Sequence, residues 1–387
     1  MREVCIVGVG MTRFTKNNLH FREMGREATW TAIKDSGIDP RHIQIAYAGH
    51  ARTGQLLGWE CGVGQAILWD VGINKIPVTS VGNFCCSGTC AVREAWFAVG
   101  SGMYDVAIAI GVEKLTARKG KGQPLTSDGV ELEGGVGFTP PAFFAMIAQR
   151  HMQLYGTTRE QIAAVSVKNR RYGALNPYAQ YQKEVTLEEV LTSPMVVDPL
   201  TLYQCCPTSD GAAAAILCAR DALGKYNLQQ KPVTIAAIAQ QSGTYPDSSG
   251  ELTIDEGTAR AAQEAYRIAG IGPEDIDVAE VHDCFSIAEV IHYEDLGWCR
   301  KGEGGRLVQE GYFDLTGRVA VNPSGGLLSK GHPLGATGIG QMCEIVWHLR
   351  RQAGPRQRNG AKAGLAHNAG GFKEADAAAI TVSILKV

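Results

Sequence analysis

The sequence predicts an α/β fold in which helices cover a largely parallel sheet. Short apolar runs followed by glycine or polar residues recur along the 387 residues, and such runs are typical of buried strands. Segments with apolar residues at helical spacing lie between them. Because alternating strands and helices pack as layers, with the helices against the faces of the sheet, this order predicts the α/β class.

The apolar runs predict six strands, in chain order at residues 4–9, 78–81, 105–111, 233–239, 278–281 and 362–366. A helix is predicted after the second of these strands. There, Ala91, Ala95 and Val99 form one apolar stripe, with Val92 and Trp96 beside it. A further helix is predicted over residues 142–154, after the third strand.

The chain also divides into two related halves, residues 1–230 and 231–387. An apolar strand opens each half, and each half contains a glycine-rich turn that leads into an apolar helix, at residues 81–88 and 331–338. Between these turns, residues from about 115 to 200 contain many turn-forming residues and are predicted to form an inserted lid or loop domain. Because loops on a rigid scaffold commonly carry binding, this insertion is expected to determine the substrate.

Composition excludes several classes of protein. The net charge of −2 gives no basic surface for nucleic acid or membrane, and no apolar run approaches the ~18 residues of a membrane span. Eleven cysteines without a Cys-x-x-Cys pair, and nine scattered histidines, favour neither a metal site nor a disulfide framework. We therefore expect reduced thiols and a cytoplasmic protein, and, because the sequence begins with a predicted strand, we expect no signal peptide.

Two cysteines lie in the first glycine-rich turn, Val-Gly-Asn-Phe-Cys85-Cys86-Ser-Gly. The N-terminus of a helix presents unpaired N–H groups and partial positive charge, so a cysteine placed there is expected to shift toward thiolate. Adjacent cysteines among small residues are otherwise typical of packing. These residues alone leave open which cysteine, if either, is reactive.

The second turn holds His332 between Gly331 and Pro333. Glycines on both sides allow close approach of a ligand, and a neutral imidazole near a thiol can act as its base. A histidine that only packs within the turn is the alternative. His282 and Cys284 follow the strand at 278–281, where ligands bind in open α/β sheets, although a buried cysteine can equally be a small apolar residue.

The sequence resembles the thiolases and, within that superfamily, the thiolase domain of sterol carrier protein x. The resemblance runs nearly end to end through the segments Val7-Gly-Val-Gly-Met-Thr-Arg-Phe, Asn176-Pro-Tyr-Ala-Gln, Gln204-Cys-Cys-Pro-Thr-Ser-Asp-Gly, Val281-His-Asp-Cys-Phe-Ser and Asn322-Pro-Ser-Gly-Gly-Leu-Leu-Ser-Lys-Gly-His-Pro-Leu-Gly-Ala-Thr-Gly. It implies the thiolase fold, in which two similar βαβ-type halves form a five-layered α/β/α/β/α core with an inserted loop domain.

The resemblance also implies roles for five residues. Cys85, in Cys-x-Ser-Gly register, would be the nucleophile, and His332 would activate it. His282 stands where other thiolases have an asparagine and would help bind the thioester oxygen. In most thiolases a C-terminal loop carries the cysteine that moves the α-proton. That loop reads His367-Asn-Ala-Gly here, so Cys284 would take over that role, and His367 is a further catalytic candidate.

The implied reaction is cleavage of a 3-oxoacyl-CoA by CoA, or the reverse Claisen condensation, through a cysteine acyl-enzyme. CoA would be a substrate, without any tightly bound cofactor. The alternative is a thiolase-fold C-acyltransferase or retro-aldolase that acts with a small zinc-ribbon/OB-fold partner protein. A non-catalytic scaffold is disfavoured because reactive groups are present in both glycine-rich turns, in the segment with His282 and Cys284, and in the loop with His367. A homodimer or homotetramer is expected, assembled through the edge strand at residues 78–81.

Basic residues that could bind the CoA phosphates are a weaker indication of function than the motifs above. They are Arg118, Lys119, Lys121, Lys168, Arg170 and Arg171. Because such clusters are more commonly a solvated face, none is assigned as a ligand.

Overall fold

The computed structural model describes residues 1–59, 61–117, 138–244, 249–373 and 376–387. The strands are β1 (Val4–Met11), β2 (Ile45–Gly49), β3 (Val78–Val81), β4 (Val106–Lys114), β5 (Met195–Val197), β6 (Leu200–Thr201), β7 (Asp210–Ala219), β8 (Val233–Gln241), β9 (Val278–Glu280), β10 (Ala320–Val321), β11 (Ala363–Lys373) and β12 (Asp376–Lys386). All six predicted strands are present.

The helices of the same residues alternate with these strands. They are α1 (Phe21–Ser36), α2 (Thr53–Leu57), α3 (Val63–Val71), α4 (Ser87–Gly100), α5 (Pro140–Tyr155), α6 (Arg159–Ala174), α7 (Leu187–Thr192), α8 (Glu256–Ala269), α9 (Ser286–Asp295), α10 (Gly304–Gln309), α11 (Gly326–Ser329) and α12 (Leu334–Leu349). The predicted α/β class is confirmed.

Ten of the strands form one sheet in the order β10-β9-β11-β12-β8-β1-β7-β4-β2-β3. Counting only the five strands that each half contributes to this sheet, the third, second, fourth, fifth and first lie side by side in both halves. The halves meet where β1 pairs with β8 through Cys5–Thr234 and Ile6–Val233. The sheet is therefore continuous across the two halves.

The expectation of a largely parallel sheet is wrong at the centre of the molecule. β1, β7, β8 and β12 pair antiparallel with their neighbours, and only the outer strands of each half are parallel. Every residue of β1, β4 and β7 is buried. A strand covered on both faces is apolar along its whole length, whether it pairs parallel or antiparallel with its neighbours. The composition of such a strand therefore indicates burial and not the direction of pairing.

Helices cover both faces of the sheet. On the outside, α1 packs against β1 and β7, and α8 packs against β8 and β12. On the inside, α12 packs against α4 and against strands of both halves, and nearly all of its residues are buried. This inner helix begins directly after His332, so the second glycine-rich turn points into the junction between the halves.

The described part of the predicted insertion, residues 138–200, is mostly helical rather than irregular. Pro140 and Pro141 occupy the first turn of α5, where the missing N–H of proline costs no helical hydrogen bond, so these turn-forming residues start a helix. The next helix, α6, packs against α9, α10 and α11. Arg118, Lys119 and Lys121 lie outside the described residues. No described helix has the length and hydrophobicity to span a bilayer.

Candidate active site

Cys85 lies at the mouth of the first glycine-rich turn, two residues before the start of α4. The turn is held by Ser87, whose Oγ donates to the Phe84 carbonyl at 2.6 Å and accepts from the Asn83 N–H at 2.8 Å. Phe84 has a φ of +49°, an uncommon conformation for a bulky residue. The backbone is thus bent so that the Cys85 thiol is partly exposed.

Cys86 faces the interior instead. Its sulfur lies 3.2 Å from the carbonyl oxygens of both Asn368 and Ala379, either of which can accept its single proton, and the residue is fully buried. The two adjacent cysteines therefore have different surroundings: Cys85 is partly exposed and Cys86 is buried.

His332 is fixed by the residues around it. Its backbone N–H donates to Ser209 Oγ at 3.1 Å, and its Nδ1 lies 2.8 Å from Thr337 Oγ1, one turn into α12. Burial holds the pKa of His332 well below its ordinary value, and the nearby His282 lowers it further. The imidazole is consequently neutral and can accept a proton.

His282 completes the centre. Its ring is perpendicular to that of His332, with the ring centroids 4.9 Å apart. Cys85 Sγ and one ring nitrogen of each histidine all lie within 4.8 Å of one another. The structure thus brings together three groups that are remote in sequence and that come from both halves of the chain.

Close approach between the halves depends on small residues. A Cβ at Gly88 of α4 would lie 2.5 Å from the carbonyl oxygen of Gly335, and one at Gly111 of β4 would lie 2.3 Å from the same atom. Because these distances are shorter than any real contact, side chains there would force α12 away from α4. The glycines therefore set how near His332 comes to Cys85.

The expected shift of Cys85 toward thiolate is not observed. Burial raises the pKa of Cys85 to about 12, and the Glu113 carboxylate adds to the rise, outweighing backbone N–H bonds from Cys85 itself and Gly371. Glu113 is buried and accepts from the N–H groups of Ala51, Arg52, Thr53 and Gly335. The resting site is therefore a neutral thiol beside neutral imidazoles.

Cys284 is buried next to the same centre. Its carbonyl accepts from the Cys206 N–H at 2.9 Å. Burial raises the pKa of Cys284 well above its ordinary value, and the neighbouring thiols of Cys206 and Cys85 raise it further. Cys284 is thus held protonated within electrostatic reach of Cys85.

Asp283 anchors the loop that carries His282 and Cys284. Its carboxylate accepts from the N–H groups of Leu327 at 2.6 Å and Leu328 at 3.2 Å, and from Asn169 Nδ2 at 2.7 Å. These bonds tie the loop after β9 to α11 and α6. Because α11 leads directly to His332, Asp283 couples the positions of the two reactive loops.

His367 lies behind His282 rather than beside Cys85. Its Nδ1 accepts from the backbone N–H of His282 at 3.4 Å, and its Nε2 lies 2.9 Å from Thr258 Oγ1. Its ring contacts that of His292, with centroids 4.3 Å apart. Burial lowers the pKa of His367 to about 3. The geometry suits a group that positions His282.

The glycines of the loop after His367 shape the other side of the thiol. A Cβ on Gly370 would lie 2.6 Å from the backbone nitrogen of Cys85 and 2.9 Å from its Cβ. Gly370→Ala should therefore displace Cys85 and slow its alkylation by iodoacetamide about 10- to 100-fold, because shifts of ~1 Å have such effects at reacting groups.

Mass-spectrometric peptide mapping measures that rate at Cys85 alone. Gly224→Ala is the matched control, since a Cβ there has open space and the residue has no positive φ. Equal rates in the two variants would contradict the expectation.

Two of the basic residues considered for CoA, Lys168 and Arg170, are not on a solvated face, whereas Arg171 is exposed. Lys168 is buried and pairs with Glu289 at 2.7 Å, and Arg170 is buried with its guanidinium 3.9 Å above the Tyr181 ring. Arg171 pairs with Asp314 at 2.7 Å. Lys168 and Arg170 therefore support the fold of α6 around the site and are unavailable to phosphates.

Several residues that shape the site escaped the sequence analysis. Thr337 contacts His332 within the same turn, whereas contacts with segments far along the chain involve Asn368, Glu113, Cys206 and Asn169. Asn368 follows His367 directly and Cys206 lies in the Gln-Cys-Cys-Pro segment, so their neighbours gave some signal. Glu113 and Asn169 lie in ordinary strand and helix patterns, which gave none.

Two family models match nearly the whole chain. One, described as "Thiolase, N-terminal domain", matches residues 4–221, and the other, "Thiolase C-terminal domain-like", matches residues 229–383.

Individual relatives agree with the two family models. The chain is 44% identical to "Acetyl-CoA acetyltransferase" of Methanothermobacter thermautotrophicus, over 96% of this chain and 97% of the relative. It is 40% identical to "Sterol carrier protein 2" of Bos taurus, over 95% and 70%. It is 38% identical to "Benzoylsuccinyl-CoA thiolase subunit BbsB" of Thauera aromatica, over 91% and 90%.

Solved structures share the architecture. The "Ltp2-ChsH2(DUF35) aldolase" structure matches 100% of this chain and 98% of its own with a TM-score of 0.85 and 26% identity. Human mitochondrial 3-ketoacyl-CoA thiolase in complex with CoA matches 100% and 98% with a TM-score of 0.75; at 19% identity it supports the fold alone.

Proposed function

This chain belongs to the thiolase family and is a thiolase-type acyltransferase, and from that premise we propose how its residues divide the work. Cys85 is the acylated nucleophile, His332 its base, His282 the donor to the thioester oxygen and Cys284 the acid that handles the α-proton. His367 positions His282. The observation that carries the proposal is the convergence of Cys85, His282 and His332 within 4.8 Å.

In the degradative direction, His332 takes the proton of Cys85 as the sulfur attacks the 3-keto carbon of a 3-oxoacyl-CoA. The bond between C2 and C3 then breaks, leaving the acyl group on Cys85 and an acetyl-CoA enolate. Cys284 gives its proton to C2 of that enolate. The raised pKa of Cys284 supports this role, because the acid must be protonated when the enolate forms.

Enolate formation needs hydrogen-bond donors aimed at the thioester oxygen. His282 Nδ1 is buried and has no hydrogen-bond partner among the described residues, so it is free to donate to that oxygen. Preorganised donors of this kind contribute about 3 to 4 kcal/mol each.

A second CoA completes the cycle. Cys284, now a thiolate, takes the proton of the CoA thiol, and the CoA sulfur attacks the acyl group on Cys85. The Cys85 thiolate leaves and recovers its proton from His332, so both groups return to their starting states. The relative named acetyl-CoA acetyltransferase supports acetyl-CoA as one substrate or product of this cycle.

Intact-protein mass spectrometry after incubation with a panel of acyl-CoAs tests the proposal. We expect a mass increase equal to one acyl group, mapped to Cys85. An unmodified Cys85 with every thioester would overturn it.

The pH dependence of Cys85 reactivity provides a separate prediction. Because its pKa is raised to about 12, the thiolate fraction is small at neutral pH and increases as pH rises. Without substrate, the alkylation rate of Cys85 should rise about ten-fold per pH unit between pH 7 and pH 10. A rate independent of pH across that range would instead indicate a resting thiolate–imidazolium pair.

A second candidate function is retro-aldol cleavage by the same fold, acting with a small zinc-ribbon/OB-fold partner. The match to the aldolase structure favours it. Retention of both Cys85 and Cys284 favours the thiolase reaction, because carbon–carbon cleavage by an aldolase needs no acyl-cysteine. Formation of the acyl-enzyme therefore distinguishes the two candidates.

We also propose a homo-oligomer assembled through β3. This strand is at the edge of the sheet, and its residues Thr79 and Ser80 are exposed. Because an unpaired edge is normally covered, a second copy of the chain would complete it. Light scattering should give an active species of at least twice 41.4 kDa. An active single chain would refute this, and excess mass would reveal a small partner.

A further inference from the structure

The three donor groups at the centre of the site have the composition of a metal site as well as of a catalytic one. A cysteine sulfur and two imidazole nitrogens lie within 4.8 Å of one another, and thiolate with imidazole is a ligand set that zinc prefers. Each ligand must offer a lone pair and be held from behind by a second hydrogen bond. Both conditions can be examined for the two histidines.

For His332 the hydrogen bonds define the tautomer. Thr337 Oγ1 donates its own proton to the Pro333 carbonyl at 3.0 Å, so it accepts from His332 Nδ1 at 2.8 Å. The Nδ1 atom therefore carries the ring proton. This leaves a lone pair on Nε2, with Thr337 as the group that orients the ring.

For His282 the neighbouring group is Asn368, whose side chain acts on the imidazole and itself donates to Gln341 Oε1 at 3.0 Å. Nδ1 of His282 has no hydrogen-bond partner in the described part of the chain. Depending on the tautomer, this atom can present either a proton to a substrate oxygen or a lone pair to a cation.

The charge around Cys85 favours a cation. Glu113 is the charged residue whose field acts on the sulfur, and its carboxylate is fully buried. Cys85 also accepts a backbone N–H bond from Gly371, which helps to stabilise a thiolate. A divalent ion would therefore meet a preassembled set of neutral imidazoles and a thiol in a negative field.

We propose that Cys85, His282 and His332 bind a zinc ion, with the fourth tetrahedral position open, and that this ion reversibly blocks acylation. On binding, the S–H bond of Cys85 breaks, a sulfur–zinc bond forms and the proton leaves to solvent. The donor atoms need to close by at most about 1.5 Å to reach tetrahedral separations. The inhibitory effect rests on the proposed role of Cys85 as nucleophile; the binding itself does not.

Cobalt is the probe, because Co²⁺ replaces zinc and reports a thiolate ligand through a near-ultraviolet charge-transfer band. The purified chain carrying Cys61→Ser, which removes the exposed thiol, is titrated with Co²⁺ under reducing, metal-free conditions. We expect one equivalent to bind with that band, and Zn²⁺ to displace it. Absence of the band overturns the proposal.

Variants locate the ion. Cys85→Ser should abolish the band, whereas Cys86→Ser, one residue away and buried, should keep it. Thr337→Val should weaken binding about 10- to 100-fold, because it removes the group that orients a ligand. A band that survives in Cys85→Ser, or that is lost only in Cys86→Ser, would overturn the assignment. This holds whether or not the substitution has moved the His332 loop.

Mass spectrometry separates this result from the proposed function. Prior acylation of Cys85 should prevent cobalt binding, and Zn²⁺ should slow Cys85 alkylation at least about ten-fold by occupying the lone pair that reacts. If an acyl-CoA acylates Cys85 but the unacylated protein binds no cobalt, the metal site is refuted and the enzyme assignment stands. If cobalt binds and no acyl-enzyme forms, the metal site stands and the enzyme assignment is refuted.

Discussion

Cys85→Ser should lower turnover by about 10⁴-fold or more and remove the acyl group from the intact protein. The expected loss is large because the covalent intermediate disappears with the sulfur, and enzymes that lose such a nucleophile retain only the contribution of binding and oxyanion stabilisation. Steady-state cleavage of acetoacetyl-CoA and intact mass measure the two effects.

Cys86→Ser is the matched control for that experiment. Its thiol lies within hydrogen-bonding distance of two backbone carbonyls, and a serine hydroxyl can donate to either of them. We expect turnover within a few-fold of the parent protein. Acylation found on Cys86, or near-normal turnover in Cys85→Ser, would reverse the assignment.

Cys284→Ala should reduce turnover by about 10²- to 10⁴-fold, the usual contribution of a positioned acid or base. Cys85 should still be alkylated by iodoacetamide at close to the parent rate, because attack by Cys85 and protonation of the enolate are separate steps. Turnover assays and peptide mapping on the same sample test both statements.

The neighbouring thiol provides the comparison for Cys284. Cys206 donates its backbone N–H to the Cys284 carbonyl and lies on the same side of the site, yet no step of the proposed cycle uses its sulfur. Cys206→Ser should therefore keep most activity. Similar losses in both variants would indicate that the thiols only fill space.

Local patterns predicted much of the site. The glycine-rich turns placed Cys85 and His332 before apolar helices, and the structure has α4 and α12 there. His282 and Cys284 were found because they follow a strand directly. In each case the signal lies within a few residues, where backbone geometry depends on the immediate sequence.

Other features depend on contacts that no local pattern contains. β7 was missed because its run is rich in alanine, which favours helices, and only its neighbours in the sheet make it a strand. The pKa of Cys85 was misjudged because burial and Glu113, from a different strand, outweigh the helix terminus. Lys168 was expected at the surface, although Glu289 pairs with it inside the fold.

The division of the site between two halves also bears on how the protein is made. A ribosome releases the N-terminal part of a chain first, and domains commonly fold in that order. Cys85 is therefore synthesised well before His332, its proposed base. Because that base is absent until then, we expect the nascent chain to hold a thiol that does not capture thioesters. We expect Cys85 to become reactive when α12 packs against α4 in the completed chain.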